Sequence, residues 1–428
     1  MNTILYPNQE EYQRLLARPH KDSADLTATV SEILNQIRQE GDAAVLHYEE
    51  KFDKVSLSSL AVTDEEMQRA ENLVAEELKE AICLAHSNIS KFHMAQRMSP
   101  IHVETCEGVK CWQKSVAIEK VGLYIPGGTA PLFSTVLMLA TPAKIAGCKD
   151  IVLCSPPSKD GSLNPAILYA AKVAGVNRIY KCGGVQAIGA MAYGTQTVPK
   201  VSKIFGPGNQ YVTCAKQIVS MGDVAIDMPA GPSEVAIVAD ATCHPGFVAA
   251  DMLSQAEHGL DSQSILFTDS EKVAQDVLAE IESQLATLPR REIAESSLLH
   301  SSIVVLHNIQ EAFDICNDYA PEHLILASDH AMEWCDKVVN AGSVFVGHYS
   351  CESAGDYASG TNHTLPTSGY AKAYSGVNLD SFCRKITFQI LSAEGIGQIG
   401  RAVEVMAQAE GLDAHKRAMT IRMEEIKR

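Results

Sequence analysis

The hydrophobic pattern of the chain changes period near residue 120. From 24 to 40 and from 63 to 96, apolar residues recur three and four positions apart among many charges, which predicts amphipathic helices. Beyond that point short apolar runs take over, at 121–125, 150–154, 178–182, 203–205 and 235–238, with a helix-length segment between each and the next. A second set follows at 264–267, 303–306, 323–326 and 342–346. Runs that are apolar at consecutive positions leave no face for water, so they predict strands covered on both sides, as in a parallel sheet with crossover helices. The expected fold class is therefore α/β, with two doubly wound, incomplete Rossmann-like parallel-sheet domains. Residues 386–428 read as mostly helical; they are too few to build a large core of their own and should dock on something.

Composition narrows the partners. Asp and Glu outnumber Lys and Arg 52 to 35, and a formal charge of −17 repels phosphate backbones, so nucleic acid is not an expected partner. No run reaches the ~18 apolar residues of a membrane span, and the first residues lack the basic flank and apolar core of an export signal. The expected setting is cytoplasmic, without a membrane partner. The 12 cysteines are scattered with no C-x-x-C pair, which fits reduced thiols better than a disulfide framework or a zinc-thiolate site.

The candidate chemistry starts at Ala320-Pro321-Glu322-His323, which sets a carboxylate beside an imidazole at the mouth of an apolar run. Such a pair can move protons near neutral pH, although an adjacent Glu and His is more often an idle surface pair. Gln255 and His258 lie three apart at the end of a predicted helix and so share a face. Asp356 and His363 fall in a Gly- and Ser-containing loop, and His415 in the helical tail. Spacing alone joins none of these into a metal site, because no H-E-x-x-H or similar pattern is present.

Three glycine-containing turns, Gly127-Gly128-Thr129-Ala130, Gly183-Gly184 and Gly206-Pro207-Gly208, follow strands of the first set. Their N–H groups could seat a pyrophosphate, or they are ordinary tight turns. Gly395-Ile396-Gly397-Gln398-Ile399-Gly400 fits G-x-G-x-x-G, but no strand follows to complete a βαβ unit, so it reads as a packed helix start. Cys154 and Cys182 end strands, where a thiolate nucleophile could stand; with no His beside them they read as small buried hydrophobes.

Taken together, Pro229-Ala230-Gly231-Pro232-Ser233-Glu234, Leu253-Ser254-Gln255-Ala256-Glu257-His258-Gly259, the Glu322-His323 run and Ser353 to His363 resemble the histidinol dehydrogenases, and the resemblance extends over essentially the whole chain from about residue 20. It implies an aldehyde dehydrogenase-like version of the fold and a zinc- and NAD-dependent oxidation of L-histidinol to L-histidine through L-histidinaldehyde. By the same resemblance Glu322 and His323 are catalytic, and Tyr124, Gln186 and Asn209 contact NAD. Gln255, His258, Asp356 and His415 bind zinc. Ser233, Gln255, His258, His323, Asp356, His363, Glu410 and His415 meet the substrate. It also implies a homodimer whose sites are shared between chains. The domain scheme expected is a helical arm at 1–23, a domain of 24–120 plus 232–378 carrying the Glu-His pair and zinc ligands other than His415, an NAD-binding domain at 121–231, and a helical dimerisation arm at 379–428. The competing readings are a thioester-forming aldehyde dehydrogenase, which needs an essential thiol, a zinc hydrolase without redox cofactor, and a non-catalytic metabolite-binding protein.

Overall fold

Two parallel sheets with the same strand order organise residues 1–95 and 119–382. The computed structural model describes residues 1–18, 24–127, 131–228 and 231–427. In space the first sheet runs Arg178–Lys181, Asp150–Ser155, Lys120–Tyr124, Lys203–Phe205, Ala225–Ile226, all parallel. The second runs Ser302–Val305, Gln263–Thr268, Glu234–Ala239, His323–Ala327, Ser343–Val346, with Asn2–Leu5 parallel at its edge. Counted along the chain within each sheet, and leaving aside Asn2–Leu5, both orders are 3-2-1-4-5, the doubly wound arrangement expected from the alternating pattern. Asn2–Leu5 lies outside that expectation, because its largely exposed side chains carry no buried period.

Alternation within the fully buried strands explains their continuous apolar runs. Val235 and Ile237 face one core of the second sheet with Ile325, whereas Ala236 and Val238 face the other with Leu324 and Leu326. Each such large aliphatic side chain stabilises the fold by ~1.5–3 kcal/mol relative to exposure. The first sheet is covered by the amino-terminal helices. Val30, Ile33, Leu34 and Ile37, on one face of Ala24–Glu40, share a core with Ile188, Val212 and Val219. The helix Asp42–Tyr48 then widens into a π turn, Glu49–Asp53, which carries the fully buried Glu49.

Residues 96–118 and 383–428 form a separate unit. In it Cys383–Leu391 pairs antiparallel with Val109–Ala117, which pairs antiparallel with Ile101–Cys106, followed by the helices Ala393–Ala409 and Asp413–Ile426. The tail therefore opens as a strand before turning helical, and the alternation Ile386, Phe388, Ile390 is the period-two signal that the helical reading overlooked. Phe388 stacks on Trp112 with ring centroids 5.2 Å apart. The G-x-G-x-x-G run lies inside Ala393–Ala409, and a Cβ on Gly395 would stand 2.3 Å from the Gly108 carbonyl oxygen, so that glycine permits close packing. No helix among the described residues is long and apolar enough to cross a membrane.

The first sheet reverses its winding between Lys120–Tyr124 and Lys203–Phe205, and a buried clamp holds the turn there. Gly206 has φ +126°, and a Cβ on it would lie 2.1 Å from the Tyr124 carbonyl oxygen. Its N–H donates to Asp227 Oδ2 at 2.8 Å, and its carbonyl accepts from Lys216 Nζ at 2.8 Å. Lys216 and Asp227, both almost fully buried, pair at 2.5 Å. Gly206→Ala should therefore cost at least ~1–3 kcal/mol through left-handed strain, with overpacking added. Urea titration checks this; a denaturation midpoint equal to that of the parent would contradict the account.

Candidate active site

The Glu322-His323 pair is placed by the end of one helix and the start of one strand. The helix Ile309–Tyr319 closes on Ala320, whose φ of +52° reverses the chain, and Pro321 leads into His323–Ala327. His323 then pairs in register with Val235 on one side and Ser343 on the other. Glu322 Oε2 accepts the backbone N–H of Glu234 at 3.0 Å, which ties the carboxylate to the neighbouring strand just after Ser233. Glu322 and His323 are both buried, 6% and 4% exposed.

Around the imidazole the structure gathers carboxylates from a third segment. The short helix Glu352–Tyr357, rather than the loop expected, carries Glu352 and Asp356 one turn apart on one face. His323 Nδ1 lies 3.7 Å from Glu322 Oε2 and 3.7 Å from Glu352 Oε1, and its Nε2 lies 3.6 Å from Asp356 Oδ1. Neither ring nitrogen makes a hydrogen bond. Burial works to lower the imidazole pKa, but Glu352, Glu322 and Asp356 outweigh it and push it up to about 10. Burial pushes the Glu322 and Glu352 carboxyls up to about 8 in turn.

The helix Pro245–Ala256 packs against Glu352–Tyr357, and His258, just after it, joins this cluster. Donor atoms of His258, Glu352 and Asp356 all lie within 4.8 Å of one another. Gln255 is fully buried, and both its amide atoms lack a partner. Such atoms are costly unless something not of the chain satisfies them. His363 Nδ1 lies 2.9 Å from the Asp356 carbonyl, which can only accept, so Nδ1 carries the proton. Its Nε2 is 3.1 Å from Thr135 Oγ1. Glu410 and His415 belong to the separate unit, where both are exposed. Glu352 is the residue sequence reasoning missed; its i, i+4 spacing to Asp356 was available as a signal once that segment is taken as helical.

The expected cofactor contacts sit at the carboxyl edge of the first sheet. Tyr124 ends Lys120–Tyr124, Gln186 lies in the first turn of Gly184–Tyr193, and Asn209 caps Gln210–Ser220, its Oδ1 accepting from Tyr211 and Val212. At two of the glycine turns, read as either pyrophosphate seats or ordinary tight turns, one N–H is already engaged. The Gly183 N–H is taken by Glu49 Oε1 at 2.9 Å and the Gly206 N–H by Asp227, so carboxylates of the chain already hold those donors. Gly128, Thr129 and Ala130 of the third turn, and Pro229 and Ala230 of the motif before Ser233, lie outside the described residues. Cys154 and Cys182 are fully buried, and a hydrogen bond between them together with burial pushes the Cys182 thiol well up, which disfavours a thiolate there.

Comparison with known proteins adds an independent finding. The family model described as histidinol dehydrogenase matches residues 16–423. The chain is 62% identical over 427 residues to a histidinol dehydrogenase of Bacteroides thetaiotaomicron, covering 100% of both sequences. It superimposes on the crystal structure of histidinol dehydrogenase from Elizabethkingia anophelis with TM-score 0.98 and 54% identity, covering 100% of this chain and 99% of the other. An NAD-dependent aldehyde dehydrogenase from Sinorhizobium meliloti shares the fold alone, at TM-score 0.50 and 11% identity over 85% of this chain and 87% of its own.

The buried negative charge has a pH consequence in protein stripped of cations. Glu322 and Glu352 are raised from 4.5 to about 8 and His323 from 6.5 to about 10, so their protonated forms are favoured by folding. The associated stability is present at low pH and is lost as pH rises through those folded values. The midpoint of thermal unfolding should fall between about pH 6 and about pH 9, and adding a divalent cation should reverse the fall. A cation-free midpoint that rises over the same range would refute the charge assignment.

Proposed function

The chain belongs to the histidinol dehydrogenase family, and from that premise we propose that it oxidises L-histidinol to L-histidine through L-histidinaldehyde with NAD and zinc. The observation that carries this reading is the cluster in which His323 stands among Glu322, Glu352 and Asp356, with a buried, unpartnered Gln255 on the helix packed against Glu352–Tyr357. The buried Glu322 and Glu352 and the part-buried Asp356, when ionised, carry more negative charge than one imidazolium can offset, and a divalent cation suits that excess. Gln255, His258 and Asp356 offer oxygen and nitrogen donors with no thiolate, a set that fits a zinc able to take further ligands from substrate. We assign His415 as the remaining protein ligand. Gln255, His258, Asp356 and His415 would hold zinc, which would supply a Lewis-acid anchor for orienting histidinol.

Tyr124, Gln186 and Asn209 would hold NAD, which would supply the hydride acceptor for each half-reaction. In the first, His323 removes the hydroxyl proton as the carbinol carbon loses hydride, leaving the aldehyde. Its Nδ1 lies between the Glu322 and Glu352 carboxyls, whereas its Nε2 lies beside Asp356, which we assign to zinc, so Nε2 is the acceptor. In the second, Glu322 takes a proton from water as it adds to the aldehyde carbon, and His323 removes the proton of the resulting hydrate as hydride leaves, giving the carboxylate. Ser233, His363 and Glu410 complete the substrate contacts. A chain whose Glu410 and His415 are exposed on a separate unit suits a homodimer, each site completed by Glu410 and His415 of the partner subunit. A biosynthetic oxidation of this kind fits a cytoplasmic enzyme.

The reading is tested by stoichiometry. Purified protein should reduce two NAD per histidinol consumed without releasing aldehyde; one NADH per histidinol with free aldehyde overturns the two-step scheme. The residue roles separate as well. His323→Asn should slow both half-reactions by at least ~10²-fold, whereas Glu322→Gln should chiefly slow oxidation of supplied histidinaldehyde. Equal losses on alcohol and aldehyde in Glu322→Gln would refute the division of labour.

A further inference from the structure

The amide of Gln186 has only one orientation open to it. Its Nε2 donates to Glu49 Oε1 at 2.8 Å and lies 3.3 Å from Asp53 Oδ2, and turning the amide over would press its oxygen against two carboxylates. The Gln186 Oε1 therefore faces away from them as an acceptor. Glu49 is fully buried, holds the Gly183 N–H with Oε1, and has no partner for Oε2. Asp53 is half-buried at the end of the π turn. The lysines flanking it are engaged elsewhere: Lys54 donates to the Lys51 carbonyl, and the Lys51 ammonium lies over the rings of Tyr48 and Phe52. Gln186, Glu49 and Asp53 thus gather acceptors at this edge of the first sheet, and burial pushes the Glu49 carboxyl up to about 7 and the Asp53 carboxyl up as well.

Its position in the winding indicates what those acceptors meet. Gln186 opens the helix that follows Arg178–Lys181, the third strand of the 3-2-1-4-5 sheet. The Tyr124 hydroxyl, at the switch point, reaches across to the Gly184 N–H at 3.3 Å. In a doubly wound dinucleotide site the half built on the first three strands carries the acidic residue that reads the adenosine ribose. A vicinal diol offers two O–H donors to two acceptors. A 2′-phosphate brings a charge of ~−1.5 to −2 and no matching donor, so it is repelled by the same groups.

We propose that Asp53, with the Gln186 side-chain oxygen, reads the adenosine ribose hydroxyls of the cofactor and makes the enzyme reject a 2′-phosphorylated dinucleotide. Asp53 is then a specificity-determining residue, and Glu49 a positioning residue that sets the direction of the Gln186 amide. The inference rests on the reading that the first sheet holds NAD.

The test uses the full-length holoenzyme carrying Asp53→Asn, Asp53→Ser and Asp53→Glu, assayed with histidinol and either NAD or NADP, with calorimetric Kd for both dinucleotides. The parent should favour NAD. Asp53→Asn and Asp53→Ser should raise the KM for NAD by ~10-fold with kcat changed much less, the loss expected for one charge-assisted hydrogen bond. The ratio of kcat/KM for NADP over NAD should rise by at least ~10-fold in both variants, and Asp53→Glu should restore much of the NAD preference. Unaltered circular dichroism and urea midpoints establish that the variants are folded. A parent enzyme that uses NADP as well as NAD, or an unchanged ratio in folded Asp53→Asn, overturns the inference. In the second case Tyr124→Ala and Asn209→Ala decide how far the failure reaches. A raised NAD KM in those two leaves the first-sheet site standing and sinks only the role of Asp53; an unchanged KM in both sinks the first-sheet site as well.

Discussion

Burial of Glu322, Glu352 and Asp356 around one imidazole is the constraint on which the rest of the site depends. Unpaired carboxylates in an apolar interior are costly, and here they are tolerated because each is fixed by covalent geometry that serves something else. Glu322 precedes a strand paired on both sides, and its oxygen is tied to the Glu234 N–H. Glu352 and Asp356 ride together on a six-residue helix. None can retreat to solvent without unpicking the second sheet or that helix. A divalent cation or another cationic group would offset that electrostatic cost.

The two sheets share a winding order but present opposite edges. The candidate catalytic pair stands at the amino edge of the second sheet, while the candidate cofactor residues stand at the carboxyl edge of the first, where open α/β sheets ordinarily bind ligands. At the carboxyl edge of the second sheet the equivalent crevice is filled: Ser328 donates to Asp240 Oδ2 at 2.7 Å, and Thr242 accepts the Asp329 N–H. Side chains there satisfy one another, which leaves little polar capacity for a nucleotide. A repeated architecture thus carries the two candidate sites at opposite edges, with polar satisfaction at the carboxyl edge of the second sheet.

The rival chemistries fare differently against these observations. A thioester mechanism needs an accessible thiolate, and Cys154 and Cys182 are buried with the Cys182 thiol driven up. A hydrolase would use the Glu322-His323 pair and a metal, but it gives no account of the acceptor rim formed by Gln186 and Asp53 at the first sheet. A binding protein without chemistry has no use for an imidazole held unbonded among three carboxylates.

Period and burial made the nine predicted strands, the amphipathic helix over 24–40 and the doubly wound class legible in the sequence, because a strand covered on both faces must be apolar at every position and a helix covered on one face must be apolar every third or fourth. Motif resemblance singled out His258, Glu322, His323 and Asp356, which the fold gathers together, and Gln255, which it buries on the helix packed against Glu352–Tyr357. Three things were decided only by tertiary structure. Which sheet the amino-terminal helices cover is a matter of complementary surfaces, and no periodicity contains it. The strand Cys383–Leu391 pairs with a hairpin more than 260 residues earlier in the chain, so its alternation gained meaning only from a partner. Glu352, Glu49 and Asp53 look like ordinary acidic residues of helical segments; long-range packing sets Glu352 near His323 and brings Glu49 and Asp53 to Gln186, and electrostatic environment is a property of neighbours in space, which a one-dimensional pattern does not encode.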